Sequence, residues 1–131
     1  MNAIEYGANL FLDKVFGSGD PTSIYLGLVG DKPVYADTGS TIDEPEAVSY
    51  TRLEVVNNTT NWPAAVGGDQ TNGEVFAFTE PLEDWGTIGY VVFLDALTAG
   101  NLITYTKIVS RFIGTGRIPR FPVGNLTIKL R

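Results

Sequence analysis

Residues 74–108 alternate apolar and polar side chains with a period of two, which is typical of β-strands. We predict three strands in this segment. Residues 87–94 are apolar on both faces, so this strand is expected to be covered on two sides and to lie centrally in its sheet. Residues 95–101 form the loop to the next strand, where Gly100 and Asn101 can adopt the positive φ that a hairpin requires. The pattern therefore predicts a β-hairpin at the centre of a sheet.

The start of the chain has a helical pattern instead. We predict a helix over residues 2–16, because apolar side chains recur there on one stripe: Ile4, Ala8, Phe11, Leu12 and Val15. Asn2 is the predicted N-cap, Glu5 completes a capping box, and Gly17 ends the helix. Two interpretations of the stripe stay open, namely packing on a sheet or an arm that docks on a neighbouring molecule.

Shorter alternating segments predict three further strands, at residues 23–29, 50–56 and 125–131. In the second of these, Arg52 and Glu54 are expected on a solvent-facing side. Residues 30–49 break the pattern and carry several acidic side chains, so they are predicted to form a long exposed loop. Residues 109–122 contain two prolines and two glycines, which favours edges and turns over an inner strand.

These elements indicate the fold class. About seven strands with one short N-terminal helix predict an all-β fold, an antiparallel β-sandwich of the jelly-roll-like type. The length of 131 residues suits a single domain over residues 1–131, with residues 1–17 packed on it as a helix. The sequence has neither the apolar run of a membrane span nor the pattern of a signal peptide, so we expect no membrane partner.

Charge is distributed unevenly along the chain. Residues 1–100 hold all fifteen acidic and three basic residues, a net charge of −12, whereas residues 101–131 hold six basic residues and no acidic one. This segregation favours the pairing of one subunit's basic tail with a partner or with a neighbour's acidic flank. Folding of the basic tail onto acidic strands of its own chain is the alternative. The overall net charge of −6 disfavours nucleic acid as a partner.

The sequence offers little for catalysis. It contains no cysteine and no histidine, which excludes disulfides, thiolate zinc sites and the usual general base. There is neither a nucleophile elbow nor a phosphate-binding loop. The acidic pairs Asp43–Glu44 and Glu83–Asp84 leave a glycosidase conceivable, and the acidic loop leaves a calcium site conceivable, but solvated charges are the favoured interpretation of both. We expect no enzymatic activity, no cofactor and no metal.

Several aromatic residues are candidates for stacking on sugars: Tyr35, Tyr50, Trp62 and Trp85. Each tryptophan is followed by a residue that shapes the backbone, Pro63 or Gly86, which favours a structural anchor over a ligand platform. The structural anchors that we predict are Trp62, Trp85, Tyr90 and Phe93.

Four motifs in chain order are informative in combination: Tyr25–Leu28 (YLGL), Ser49–Arg52 (SYTR), Trp85–Thr87 (WGT) and the hairpin Phe93–Leu102 (FLDALTAGNL). Together they resemble a family of small bacteriophage virion proteins, commonly labelled tail fibre or capsid decoration proteins. The similarity spans nearly the whole chain. The acidic segment Asp43–Glu46 departs from the family, which usually has a glycine-rich segment there, and the penultimate loop is unusually basic.

The resemblance implies a virion structural protein that is made in the host cytoplasm. Our first hypothesis is a capsid decoration or cement protein that stabilises the head from outside, since the sequence lacks the heptads or repeats of a fibre shaft. The alternative is a tail fibre or tail-tip module that binds a host-surface glycan. The implied partners are the major capsid protein or other virion proteins, and further copies of the chain, with a trimer slightly favoured over a dimer. We expect partner contacts at four basic residues: Arg111, Arg117, Arg120 and Arg131.

Overall fold

A computed structural model describes residues 4–130. In this range it contains one helix, α1 (Glu5–Val15), and eight strands: β1 (Ser23–Val29), β2 (Leu53–Val56), β3 (Asp69–Thr71), β4 (Phe76–Ala77), β5 (Gly86–Leu94), β6 (Leu102–Ile113), β7 (Arg120–Phe121) and β8 (Thr127–Lys129). A four-stranded sheet has the order β2-β1-β5-β6, while β3 pairs with β8 and β4 pairs with β7. The all-β fold with one short helix is confirmed, and its arrangement as a sandwich stays a prediction.

The chain divides into two compact units. Unit 1 comprises Met1–Ser23, Val55–Phe76 and Phe121–Arg131, and unit 2 comprises Ile24–Glu54 and Ala77–Arg120. Each unit is described by itself below. A single domain over the whole chain stays a prediction.

The centre of unit 2 is β5, which lies between β1 and β6. Antiparallel pairing with β1 sets Leu26 opposite Phe93 and Leu28 opposite Val91, and all four side chains are fully buried. β5 also pairs antiparallel with β6, the next strand along the chain. Residues 91–94 are consecutive and all fully buried, so both faces of β5 are covered there, and the predicted hairpin with a doubly covered first strand is confirmed.

The loop of this hairpin turns differently from the prediction. Positive φ occurs at Ala99 and Gly100 instead of Gly100 and Asn101. Asn101 is held by Asp95, whose carboxylate accepts hydrogen bonds from the backbone N–H of Asn101 at 2.7 Å and from its side-chain Nδ2 at 2.9 Å. These bonds join the two ends of the loop and fix Asn101. The positive φ angles of the turn are therefore adopted by the two residues before it, Ala99 and Gly100.

α1 begins later than predicted. Ile4 is the N-cap and its apolar side chain makes no capping hydrogen bond, so Glu5 is the first helical residue. The predicted capping box is wrong in its register, and Asn2 lies outside the described residues. The buried stripe is also different: Ala8, Leu12 and Phe16 are buried, while Ile4 is 82% exposed and Phe11 is 53% exposed. A spacing of four residues places the buried side chains on one narrow face of the helix.

This face of α1 packs in the core of unit 1. The ring of Trp62 is fully buried and makes edge contacts with Phe16 at 4.9 Å and Phe76 at 5.2 Å between ring centroids. On the same helix, Asn9 accepts a hydrogen bond from the N–H of Gly68, and Asp13 accepts one from the N–H of Ala65. Polar side chains of α1 therefore fix the loop that leads to β3.

Three other predicted elements change in length. Residues 30–49 contain neither a helix nor a strand, as expected for a long loop. The strand predicted at 50–56 is shortened to β2. Tyr50 and Arg52 lie outside it, and both bind the carboxylate of Glu44. β8 is shorter than predicted, whereas β6 reaches into the stretch that was predicted to be edges and turns. β6 is nonetheless an edge strand of its sheet.

Candidate functional site

A buried arginine organises the loops of unit 2. Arg52 is 6% exposed, and its guanidinium forms an ion pair with Glu44 at 2.7 Å. The same group donates hydrogen bonds of 2.9 Å to three backbone carbonyls, those of Gly39, Ala96 and Ala99. Arg52 thus ties the long loop to the β5–β6 hairpin, and a planar fork of five donors is the group suited to this task. The prediction of a solvent-facing Arg52 is wrong, because this network buries it.

Tyr50 completes the network. Its hydroxyl donates a hydrogen bond of 2.6 Å to the Glu44 carboxylate and accepts one of 3.0 Å from the N–H of Leu28. Burial, together with the negative charge of Glu44, raises the pKa of Tyr50 far above its ordinary value. The hydroxyl is therefore a permanent donor at neutral pH. Two residues of the SYTR motif thus share one acceptor, which belongs to the acidic segment that departs from the family pattern.

Trp85 packs behind this network. Its ring lies edge-on to Tyr50 at 5.2 Å between centroids, and its Nε1 donates a hydrogen bond of 2.9 Å to Ser49 Oγ. Ser49 also donates its backbone N–H to Glu83 at 2.7 Å. The WGT and SYTR motifs are therefore in contact in unit 2, and both serve to position loops.

An open groove lies beside these loops on unit 2. It has a volume of about 810 Å³ and runs between residues 32–37 of the long loop and residues 102–105 of β6. Its wall carries two tyrosines, Tyr35 and Tyr105, with Lys32, Asp37 and Thr104 as polar groups. The side chain of Tyr35 is fully exposed.

Both walls of the groove are held in place. On the loop side, Asp37 accepts hydrogen bonds of 2.8 Å from the N–H of Val34 and from Thr41 Oγ1. These bonds hold the pKa of Asp37 below its ordinary value, so the carboxylate is charged at neutral pH. On the strand side, Tyr105 contacts Tyr90 edge-on at 6.0 Å, and both pack against the core of unit 2. The groove is therefore pre-formed.

The predicted aromatic residues lie in different environments. Trp62, Trp85 and Phe93 are buried, and Tyr90 is half-buried. Their contribution to stability as anchors stays a prediction. Of the four candidates for stacking on sugars, Tyr35 alone is exposed, whereas Tyr50 and the two tryptophans face the interior.

The predicted basic contact residues lie on the surface. Arg111 is in β6, Arg117 follows in a turn and Arg120 begins β7, and all three are exposed. In the part of the chain that the structure describes, none of them forms an ion pair with an acidic side chain. Arg131 lies outside the described residues. The role of these arginines in binding a partner stays a prediction.

Two further findings concern metal sites and membrane-spanning helices. Among residues 4–130, no three acidic side chains are grouped so that they could hold a metal ion. Over the same range, no helix has the length and apolar character needed to cross a membrane.

The SYTR and WGT motifs that brace this loop network are two of the motifs in which the sequence resembles structural proteins of the bacteriophage virion. Residues 2–129 match the model of the family described as Podophage GP4 fiber I protein gp80, and the chain belongs to this family. The resemblance to fibre-labelled virion proteins is thereby confirmed. Membership makes the protein a component of the phage particle. None of the curated proteins matches the chain.

Proposed function

We propose that this protein is a fibre-type component of the virion that contacts the host by binding a surface glycan in the groove beside Tyr35. It acts by binding alone, without catalysis. The observation that carries the proposal is the fully exposed side chain of Tyr35, which lines the same groove as the fixed, charged carboxylate of Asp37. The family description, which names a fibre, supports a role at the host surface more than one on the capsid.

The chemistry of the groove suits a carbohydrate. A sugar ring has an apolar face of C–H groups that stacks on an aromatic side chain, and hydroxyls around its edge that need hydrogen-bond partners. Tyr35 offers the aromatic face. Asp37 offers a hydrogen-bond acceptor and Lys32 a donor, and the hydroxyl of Thr104 can both donate and accept. Because the loop is already anchored through Asp37 and Arg52, little ordering free energy is lost on binding.

A capsid decoration role is the second candidate. The observation in its favour is the set of exposed arginines without an ion pair among the described residues: Arg111, Arg117 and Arg120. These could meet an acidic shell surface, and many repeated contacts in the lattice would supply the affinity. In this role the basic residues bind the major capsid protein and the groove has no part.

Binding to surface polysaccharide extracted from the host tests the first proposal. Tyr35→Ala should weaken binding at least about tenfold, which corresponds to about 1.4 kcal/mol. The midpoint temperature of thermal unfolding should not change, because an exposed side chain contributes little to the free energy of unfolding. Tyr6→Ala is the matched control, since Tyr6 is a highly exposed tyrosine of α1 in unit 1. No binding by the wild type, or equal binding by both variants, would refute the glycan groove.

A further inference from the structure

The outer half of β6 is a second surface, separate from the groove. Residues 107–113, which we call the wing, lie in an edge strand of the four-stranded sheet. Val109 is 79% exposed and Phe112 is 56% exposed, and Arg111 between them is also exposed. The wing therefore exposes two large apolar side chains together with a cation. An edge of this kind is a template for association unless it is covered.

The pairing of the wing with β5 is interrupted. Lys107 is opposite Tyr90 and Arg111 is opposite Ile88, so residues 108–110 together face Gly89 alone. This is an irregularity of the β-bulge type, with two extra residues on β6, and it takes residues out of the regular ladder. Bulges commonly lie at sheet edges and alter the direction of a side chain. The wing is thus set apart from the regular part of its own sheet.

The charge of the wing is positive. Lys107 and Arg111 are exposed, and among the residues described neither makes an ion pair. The acidic residue near the end of β6 is Asp84, whose carboxylate already accepts hydrogen bonds from the N–H and hydroxyl of Thr115. A partner of the wing must therefore supply negative charge beside a surface that receives Val109 and Phe112.

We propose that the wing binds the acidic loop of a second copy of this chain. The long loop carries three exposed acidic side chains with no ion pair among the described residues: Asp31, Asp43 and Glu46. Glu44 is excluded from this role, because Arg52 and Tyr50 occupy its carboxylate. Pairing two wings with each other would bring Lys107 and Arg111 of both copies together, which is repulsive.

The proposed contact joins two different surfaces of the same chain. Each copy has one wing and one acidic loop, so two copies can exchange the contact reciprocally around a two-fold axis. Otherwise each copy uses its wing on one neighbour and its loop on another, and the contacts are heterologous. Such contacts close into a ring or continue as a filament, depending on the rotation between neighbours. Attraction between exposed charges is weakened by salt, so the assembly should be salt-dependent.

Charge reversal tests this contact by light scattering in about 50 mM and about 500 mM salt. The wild type should have a mass of at least two chains in low salt and a smaller mass in high salt. The wing variant K107E/R111E and the loop variant D43K/E46K should each be monomeric in low salt. Mixed in equal amounts, they should associate, because the native basic wing of the loop variant can bind the native acidic loop of the wing variant. The two reversed surfaces are also complementary in charge to each other.

The decisive variant combines all four reversals, K107E/R111E/D43K/E46K. It should regain self-association, because the charges are complementary again with their signs exchanged. The control K14E/K129E changes net charge as much as the wing variant does, but at exposed lysines of unit 1, and should assemble like the wild type. A monomeric wild type in low salt, wing or loop variants that still assemble, or a combined variant that stays monomeric would overturn the proposal. Glycan binding by Tyr35 is measured separately and does not depend on this result.

Discussion

Single buried polar residues determine how the loops of this protein are fixed. Asn57 donates hydrogen bonds from Nδ2 to the carbonyls of Val15 and Pro21, both at 2.8 Å, and accepts one from the N–H of Gly17. It therefore satisfies backbone groups at the end of α1 that would otherwise lack partners. Asn57 begins a glycosylation tripeptide in the sequence, yet its side chain is buried and fully occupied by these bonds.

Asn72 has the same role at another point of unit 1. Its Nδ2 donates hydrogen bonds to the carbonyls of Glu74, Phe121 and Pro122, and its Oδ1 accepts one from the N–H of Leu126. One amide side chain thus fixes the segment that leads into β8. These roles could not be read from the sequence, because every partner except Glu74 lies 36 to 54 positions away in the chain and an asparagine in a loop is ordinary turn chemistry.

At the residue scale, Tyr50 makes stability depend on pH. Its pKa is raised in the folded state from an ordinary value of 10.0, which the unfolded chain retains. Its stabilising contribution is complete below about pH 10 and is lost as the pH rises, because the unfolded state then releases a proton that the folded state keeps. Tyr50→Phe should cost about 1–3 kcal/mol at pH 7, and this difference from the wild type should shrink above pH 10.

Urea unfolding of both proteins between about pH 7 and pH 11 measures this difference. Ionisation of the other groups affects the two proteins alike and cancels in the comparison. A difference that stays constant across the range would show that Tyr50 has no raised pKa in the folded protein.

At the element scale, alternation predicted the central strands well. β1 matches its predicted bounds, and β5 begins one residue earlier than predicted, because both strands are apolar on the faces that the sheet buries. The bounds of α1, β2 and β6 were less accurate, since side-chain contacts distant in sequence decide them. β2 is the clearest case: Tyr50 and Arg52 alternate like strand residues, but their bonds to Glu44 draw them out of the sheet.

α1 offers a test of helix packing. Gly7 lies inside the helix, and a Cβ built on it would have no atom within 4 Å. Gly7→Ala should therefore stabilise the protein by about 0.5–1 kcal/mol, because alanine restricts the unfolded chain and favours the helix. Chemical denaturation measures the change.

Gly39→Ala is the contrasting variant. A Cβ at Gly39 would lie within 1.8 Å of the carbonyl oxygen of Ala99, which is a backbone atom and cannot move freely. This variant should be destabilised. A loss of stability in Gly7→Ala would mean that the open side of α1 is covered in the native protein.

At the scale of the whole molecule, sequence alone led to the family but not to the groove. The family resemblance rests on motifs that the structure brings together in unit 2, such as Ser49–Arg52 and Trp85–Thr87. The groove forms because residues 32–37 of a loop without regular structure lie beside residues 102–105 of β6. The alternation of apolar and polar residues does not predict a contact between two segments that are distant in the sequence. Tyr35 was one of four aromatic candidates, and it is distinguished by its exposure, because the two tryptophans are buried and Tyr50 is half-buried.

The charge pattern also belongs to this scale. The sequence shows that acidic and basic residues are segregated, and the structure adds that the exposed arginines of unit 2 have no acidic partner among the described residues. The charges are therefore available for contacts with other molecules. The capsid hypothesis and the self-association of the wing both use them, whereas the glycan groove does not.

Electron microscopy of intact particles tests the central proposal most directly. For this test the protein is produced with an added tag and incorporated into phage particles, and a gold-labelled antibody to the tag marks its position on the virion. We predict label on fibres at the tail and none over the head shell. Label distributed over the faces of the head, with the tail unmarked, would contradict the fibre role and establish the capsid as the site of this protein.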